Sequence, residues 1–392
     1  MTSLSRTGTA ALLCLALACP LQAENSVSNR VAGRTFPSVF QSWNVADNLA
    51  PENPDATLAR HDLVWHDPRA LLGLSWQGPS IGTATEFVPF TVITAKLRKQ
   101  YLLNLNSNLL FVAEIRYRDA DPGYLGGTNH TWWLRDRNGK LVKGWDEGSF
   151  LRLDFRQTAL VSNIVQKARA VCAAGYDGVF LDWWEENEIF EGKSMTPYRT
   201  NLLASIRAAI GPRKLIIANA NDHTVPLSAP WINGLYMECY NTTTPDKWKA
   251  IEQTLTWADA NLRKPRVNCL EFWYHHDRND LNLMRAASTL ALTRSDGYCL
   301  FADPNPLPTP DHLHNWYPFW NRSLGRPTAP GALQADGTVA RAFERGIAVF
   351  NTMGNTNVTL AFPAPMTSLA TGITSNRHVL ACADGDIFLT TP

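Results

Sequence analysis

The sequence predicts an α/β protein, a single (β/α)8 TIM barrel followed by a small C-terminal β-module. From residue 39 onward, short β-rich runs recur eight times, and amphipathic helical stretches separate most of them. Repeated strand then helix implies a parallel sheet. Eight such units over roughly 270 residues match the closed barrel better than the competing open, doubly wound sheet.

Taken in chain order, residues 1–23 read as an export signal. Arg6 supplies the positive end, Ala10 to Leu21 a short apolar run, and Leu21-Gln22-Ala23 a small-residue cleavage site. A lipid-anchored reading at Cys19 competes with simple cleavage. The apolar run is too short to span a bilayer, and no later run reaches about 20 apolar residues, so a secreted or periplasmic protein free of the membrane is expected. Residues 24–324 are assigned to the barrel. Its strands are read at Val39 to Val45, Asp62 to His66, Leu109 to Tyr117, Asp177 to Trp183, Lys214 to Asn219, Gly234 to Tyr240, Arg266 to Trp273 and Gly297 to Asp303. Helices are read at Thr158 to Ala174, Tyr198 to Ile210, Pro245 to Leu262 and Asp280 to Arg294, bounded by Pro, Asn, Asp or Gly. Between the third and fourth strands lies an insertion of about 60 residues. It carries Trp132, Trp133, Trp145, Arg135 and Arg137, and an Asn138-Gly139 turn marks a hairpin. Because it leaves the C-terminal end of a strand, it is expected over the barrel mouth as one wall of a groove. After the Pro-rich stretch to Pro310, Gly325 to Gly337 reads as a linker. Residues 325–392 then read as the β-module, with runs at Arg345 to Asn351, Asn357 to Phe362, Thr367 to Thr371 and His378 to Thr390.

Composition narrows the function. The formal net charge is +1, so no field gathers a polyanion, and nucleic acid is excluded as the expected partner. The 14 Trp are several times ordinary usage and many fall near strand ends, where aromatic faces stack on sugar rings. The same rings also serve as large core residues. Phosphate-loop, Gly-x-Gly-x-x-Gly and Gly-x-Ser-x-Gly motifs are not found, and no cofactor is implied. A metal-dependent hydrolase is the weaker alternative, resting on His61, His66, His275, His276, His312 and His314 without a ligand motif. Outside residues 1–23 the chain has five cysteines, so at least one is unpaired.

A barrel of this kind holds its site at the C-terminal strand ends. The fourth strand runs Gly178-Val179-Phe180-Leu181 into Asp182, and the sixth presents Glu238. Two strands apart, these carboxylates can face each other across the mouth, as glycosidic hydrolysis requires. Glu238 lies among Tyr236, Met237 and Tyr240, which suggests it as the acid and Asp182 as nucleophile or base. Further strand-end residues are candidates for substrate binding: Glu114, Asn219, Glu271 and Asp303 as polar groups, Trp43, Trp183, Tyr240 and Trp273 as stacking platforms. A carbohydrate substrate is expected, a polymer rather than a small sugar, and the protein is expected to be a monomer. A barrel that binds glycan without cleaving it remains the alternative.

These residues carry a resemblance. Trp43 near the first strand, Asp177-Gly178-Val179-Phe180-Leu181-Asp182 in the fourth, a Glu ending the sixth, and Phe343-Glu344-Arg345-Gly346-Ile347-Ala348-Val349 with Thr359 resemble the glycosyl hydrolase barrels related to glycoside hydrolase family 114, the endo-α-1,4-polygalactosaminidases. The resemblance implies Asp182 and Glu238 as the catalytic pair. Trp183-Trp184 and the Trp-rich insertion depart from the family pattern and bear on the substrate.

Overall fold

The computed structural model describes residues 26–145, 148–304 and 312–390. The segment read as an export signal lies outside them. Eight parallel strands form the barrel: β1 (Phe40–Ser42), β2 (Leu63–His66), β3 (Leu110–Glu114), β4 (Gly178–Leu181), β5 (Leu215–Asn219), β6 (Gly234–Cys239), β7 (Cys269–Trp273) and β8 (Tyr298–Ala302). Each pairs with the next in sequence, and the ring closes where Val39 bridges Cys299 and the Cys299 N–H donates to the Ser38 carbonyl at 2.9 Å. A doubly wound sheet is thereby ruled out. Every strand is shorter than the sequence suggests, so Trp43, Asp182, Trp183, Tyr240 and Asp303 stand just beyond strand ends, where side chains are no longer held by the ladder.

The barrel interior is packed with rings. Trp65 stacks between Phe40 and Phe180, each at 4.9 Å, with Tyr236 edge-on at 4.9 Å. This aromatic layer forms the floor of the mouth and accounts for part of the Trp content as core. Strand packing is tight enough that a Cβ on Gly178 would run into the Leu215 carbonyl. At the opposite end, Asp177 opens β4 beneath Arg30 and Lys99 and accepts from the Phe111 N–H at 2.9 Å.

Helices α1 (Val27–Gly33), α2 (Pro89–Leu105), α3 (Thr158–Ala174), α4 (Thr196–Ile210), α5 (Pro245–Asn261) and α6 (Leu281–Arg294) lie outside the strands, while β5 reaches β6 through turns alone. The sequence reading passed over α2. Its exposed face carries Phe90, Ile93, Leu97, Tyr101 and Leu105, which blurs the amphipathic contrast the reading relied on.

The C-terminal residues form an antiparallel sheet of β9 (Val339–Phe343), β10 (Gly346–Asn351), β11 (Val358–Ser368), β12 (Thr374–Leu380) and β13 (Asp384–Thr390), with a two-residue edge strand at Ala332–Leu333. Two runs read separately, Asn357 to Phe362 and Thr367 to Thr371, belong largely to β11, whose register shifts between Ala361 and Met366. Conversely, His378 to Thr390 is split by a turn between β12 and β13. The sheet lies on α5 and α6: Phe350 stacks on Trp248 at 5.8 Å, and Gly385 sits so close to Thr289 that a side chain there would collide. Barrel and sheet share one hydrophobic core.

Candidate active site

A cavity of about 480 Å³ opens at the C-terminal end of the barrel, and Asp182, Asn219 and Glu238 lie on it. Their placement follows from the pleat. Residues two apart along a strand share a face, so Ile217 and Asn219, and Tyr236 and Glu238, turn together toward the barrel axis, and Asp182, one residue past β4, lies on the same cavity. Asn219 Nδ2 donates to Asp182 Oδ1 at 2.9 Å and to Glu238 Oε2 at 2.9 Å. One nitrogen therefore holds both carboxylates, and the two oxygens it touches are at most twice 2.9 Å, or 5.8 Å, apart. Its orientation is fixed from behind, since Asn219 Oδ1 accepts the Asn221 N–H at 3.2 Å.

The carboxylates differ electrostatically. Burial raises Glu238 to about 7, helped by the charges of Asp182 and Glu271 and opposed by His312 and Asn219. Burial raises Asp182 to about 6, helped by Glu114 and opposed by Arg116 and the Asn219 hydrogen bond. Bridged by one amide, the two titrate as a pair, with the proton favouring Glu238.

Aromatic rings wall the cavity. Trp43, Trp145, Trp183, Tyr240 and Trp273 line it. Trp183 is 48% exposed, backed by the Arg118 guanidinium 4.4 Å from its ring centroid, whereas its neighbour Trp184 is buried and donates to Ser228 Oγ at 2.8 Å. Trp43 and Trp183 both hold positive φ, 47° and 54°, uncommon for bulky residues and a form of local strain typical of functional sites. Of the insertion's three Trp, Trp145 alone lines this cavity; Trp133 is buried and donates to the Gly127 carbonyl at 2.8 Å, and Arg135 bonds the Gly139 and Thr128 carbonyls. The hairpin thus turns Trp133 and Arg135 to its own packing and hydrogen bonds, and the expected wall reduces to Trp145.

Three acids expected on the binding surface do not line this cavity. Glu114 is buried, accepting from Trp43 Nε1 at 2.9 Å and pairing with Arg116 Nε at 3.0 Å. Glu271 is fully buried, bonded by the Tyr236 hydroxyl and by His312 Nδ1 at 2.8 Å. Asp303 forms a two-pronged pair with Arg278, at 2.8 Å on each oxygen. An acid ending an apolar strand is equally suited to facing a ligand or anchoring a cation, and sequence does not separate the two. The reading also missed Asn44, Arg116 and Asp119 on the cavity, and it weighed His66 and His312 only as metal ligands. His312 Nε2 stands 3.6 Å from Glu238 Oε1 while Nδ1 meets Glu271, so the ring links the two glutamates. Among the described residues, no group of three or more His, Cys, Asp or Glu is arranged to hold a metal ion, no cysteine is in a disulfide, and no helix is long and apolar enough to cross a membrane.

Paired carboxylates under a rim of aromatic rings, at the mouth of a closed (β/α)8 barrel, are the outline of a barrel glycosidase. Residues 112–347, more than half of the chain, match the family model described as hypothetical glycosyl hydrolase family 15, GHL15, and the chain belongs to that family of glycoside hydrolases. Solved structures with similar folds include a noncanonic maltogenic α-amylase, AmyB, from Thermotoga neapolitana, at 11% identity and a TM-score of 0.54, covering 90% of this chain and 99% of the amylase. A GH27 β-L-arabinopyranosidase from Geobacillus stearothermophilus is similar at 12% identity and a TM-score of 0.53, covering 93% and 98%. An α-amylase from Lactobacillus plantarum is similar at 12% identity and 0.52, covering 93% and 100%. At such identities the likeness is one of fold. No match was found among curated proteins.

Proposed function

We propose that this protein hydrolyses an O-glycosidic bond of an oligosaccharide or polysaccharide with retention of anomeric configuration, Asp182 acting as nucleophile and Glu238 as acid and base. The observation that carries this reading is the Asn219 bridge. Retaining enzymes keep their carboxyl groups roughly 5–5.5 Å apart and inverting ones roughly 6.5–9.5 Å. A single amide donating to both at 2.9 Å supports the shorter class.

In the first step an Asp182 oxygen attacks the anomeric carbon, the bond to the glycosidic oxygen breaks, and Glu238 gives that oxygen its proton. In the second, Glu238 takes a proton from water, the hydroxide adds to the anomeric carbon, and Asp182 leaves as carboxylate. Glu238 must start protonated and Asp182 ionised, and their values near 7 and 6 run in that order. The sugar lies against Trp183, Trp273 and Tyr240, rings suited to stacking.

The substrate panel follows from the likenesses: a galactosamine polymer, after the family 114 resemblance, then α-glucans and an arabinopyranoside, after the structural relatives' names. With residues 1–23 read as an export signal, the activity is proposed to act in the periplasm or outside the cell. The test is reducing-end release across the panel, followed by NMR of the first product formed from the substrate that is cleaved. A product with the substrate's anomeric configuration supports the assignment, and an inverted first product overturns it.

A further inference from the structure

A second cavity, of about 300 Å³, lies beside the first and shares Arg116 with it. Its wall includes Arg69, just past β2, and Arg116, just past β3, so it opens at the same end of the barrel as Asp182 and Glu238. Most of it is apolar, formed by Pro68, Leu74, Ile81 and Tyr124, yet Lys167 of α3 reaches into it.

Lys167 is 2% exposed. Its ammonium donates to the Ile81 carbonyl and stands 3.9 Å from the Trp76 ring centroid and 5.6 Å from that of Tyr124. Among the described residues no carboxylate pairs with it. The two acids on the cavity are engaged elsewhere: Glu114 with Arg116 and Trp43, Asp67 with His66 and the N–H groups of Arg69 and Ala70. Several other buried cations of this protein meet acids, Lys99 at Asp177, Arg152 and Arg199 at Glu188, while Arg207 fills its donors with several carbonyls and an amide oxygen. A buried ammonium with one carbonyl and two ring faces keeps donor capacity unused, and buried charge is ordinarily compensated. Burial alone pulls this one down to about 7, so a neighbouring anion would stabilise its charged form.

We propose that this cavity is an accessory subsite for a sugar residue bearing an anionic substituent, a carboxylate or a sulfate ester, held by Lys167 while the neighbouring bond lies at the catalytic pair. The volume suits one ring, at the lower end of ligand pockets, which run from about 300 Å³. The Trp76 faces are taken by Lys167 and by Phe87, stacked at 3.9 Å, so charge rather than stacking selects the occupant. This inference rests on reading the adjoining cavity as a glycan cleft.

Calorimetric titration of the full chain with D-glucuronate, glucose 6-sulfate and D-glucose tests it, and because the readout is binding it stands apart from whether the Asp182–Glu238 pair hydrolyses anything. At least one anionic sugar is expected to bind one-to-one and tenfold or more tighter than glucose, and the stronger of the two names the substituent. Lys167→Met should weaken that binding at least tenfold and Lys167→Arg should largely keep it. Ile81→Trp, which fills the exposed mouth and leaves the amine in place, guards against a folding defect in the first variant and should also weaken binding. Equal affinity for glucose and both anions, or anion binding unmoved by Lys167→Met and Ile81→Trp in folded protein, overturns the proposal.

Discussion

Replacing Asn219 by Ala removes a group that hydrogen-bonds both carboxylates of the proposed pair, and the consequence differs in kind from a general loss of activity. Each 2.9 Å hydrogen bond from Nδ2 stabilises an ionised oxygen, and bonds to charged groups contribute about 1.5–3 kcal/mol. Since one pH unit corresponds to about 1.4 kcal/mol, loss of either bond raises that carboxyl by roughly one unit, part of which water entering the space restores. Asp182, at about 6, would move toward 7, and its ionised fraction at pH 6 would fall from about one half to about one tenth. Glu238, at about 7, would move up as well and keep its proton to higher pH. Both limbs of the pH profile of kcat/KM therefore shift alkaline together, with about a fivefold loss at pH 6, parity near pH 7 and a relative gain of similar size at pH 8. Initial rates from pH 4 to 9 on the glycan that is cleaved, with circular dichroism as a check on folding, measure this. A loss of equal size at every pH, or limbs that stay in place, would refute the argument that Asn219 acts through the charges of its two partners.

The remaining predictions probe the same site from other sides. Asp182→Asn and Glu238→Gln should each lower turnover at least about a hundredfold and yet raise Tm by about 1 to 3 °C at pH 8. The sign follows from linkage: both carboxyls are raised on folding, so the folded state gives up stability as pH climbs through about 6 and 7, and the neutral amides avoid that loss. The gain should vanish toward pH 4, and calorimetry that finds it unchanged there contradicts the pKa assignment. Trp183→Ala removes a largely exposed ring and should raise KM about two- to tenfold with kcat nearly constant, while stability changes by less than about 0.5 kcal/mol. His312→Gln takes away the charge that opposes the upward shift of Glu238, so the basic limb alone should move alkaline, unlike the paired shift of Asn219→Ala. A matching movement of the acidic limb would count against that assignment.

The barrel was legible because its signal is local. Gly178 to Leu181 is an apolar run buried throughout, as a parallel strand covered by helices should be, and its recurrence between helical stretches is what marks the barrel. Asp182 and Glu238 were legible for a related reason, as carboxylates ending such runs at the end of the barrel where ligands bind. Glu114, Glu271 and Asp303 carry the same local signature, and what turns them away from the cavity comes from far along the chain: Trp43 is 71 residues from Glu114, and His312 is 41 residues from Glu271. No periodicity reports partners of that separation. Of the insertion's aromatics, Trp133 and Trp145 look alike in sequence, and only the folded hairpin reveals that one is core and the other cleft.

The acids that leave the binding surface are not idle. Glu114 lies beside Asp182 and pushes its carboxyl up, while Arg116, ion-paired to Glu114, pulls it down. Glu271 does the same to Glu238, and His312, bonded to Glu271, opposes it. Asp182 and Glu238 thus each have an acid and a base set behind them as a bonded pair, whose opposed charges act on a carboxyl that burial, the largest influence, has already raised. Such an arrangement keeps both carboxyls near neutrality without leaving a bare charge in the barrel. It also separates them. Asp182 has the guanidinium of Arg116 as its counterweight, and Glu238 has the His312 imidazole. In the proposed mechanism the carboxylate opposed by the guanidinium is the nucleophile, and the one opposed by the imidazole holds the proton for the leaving group.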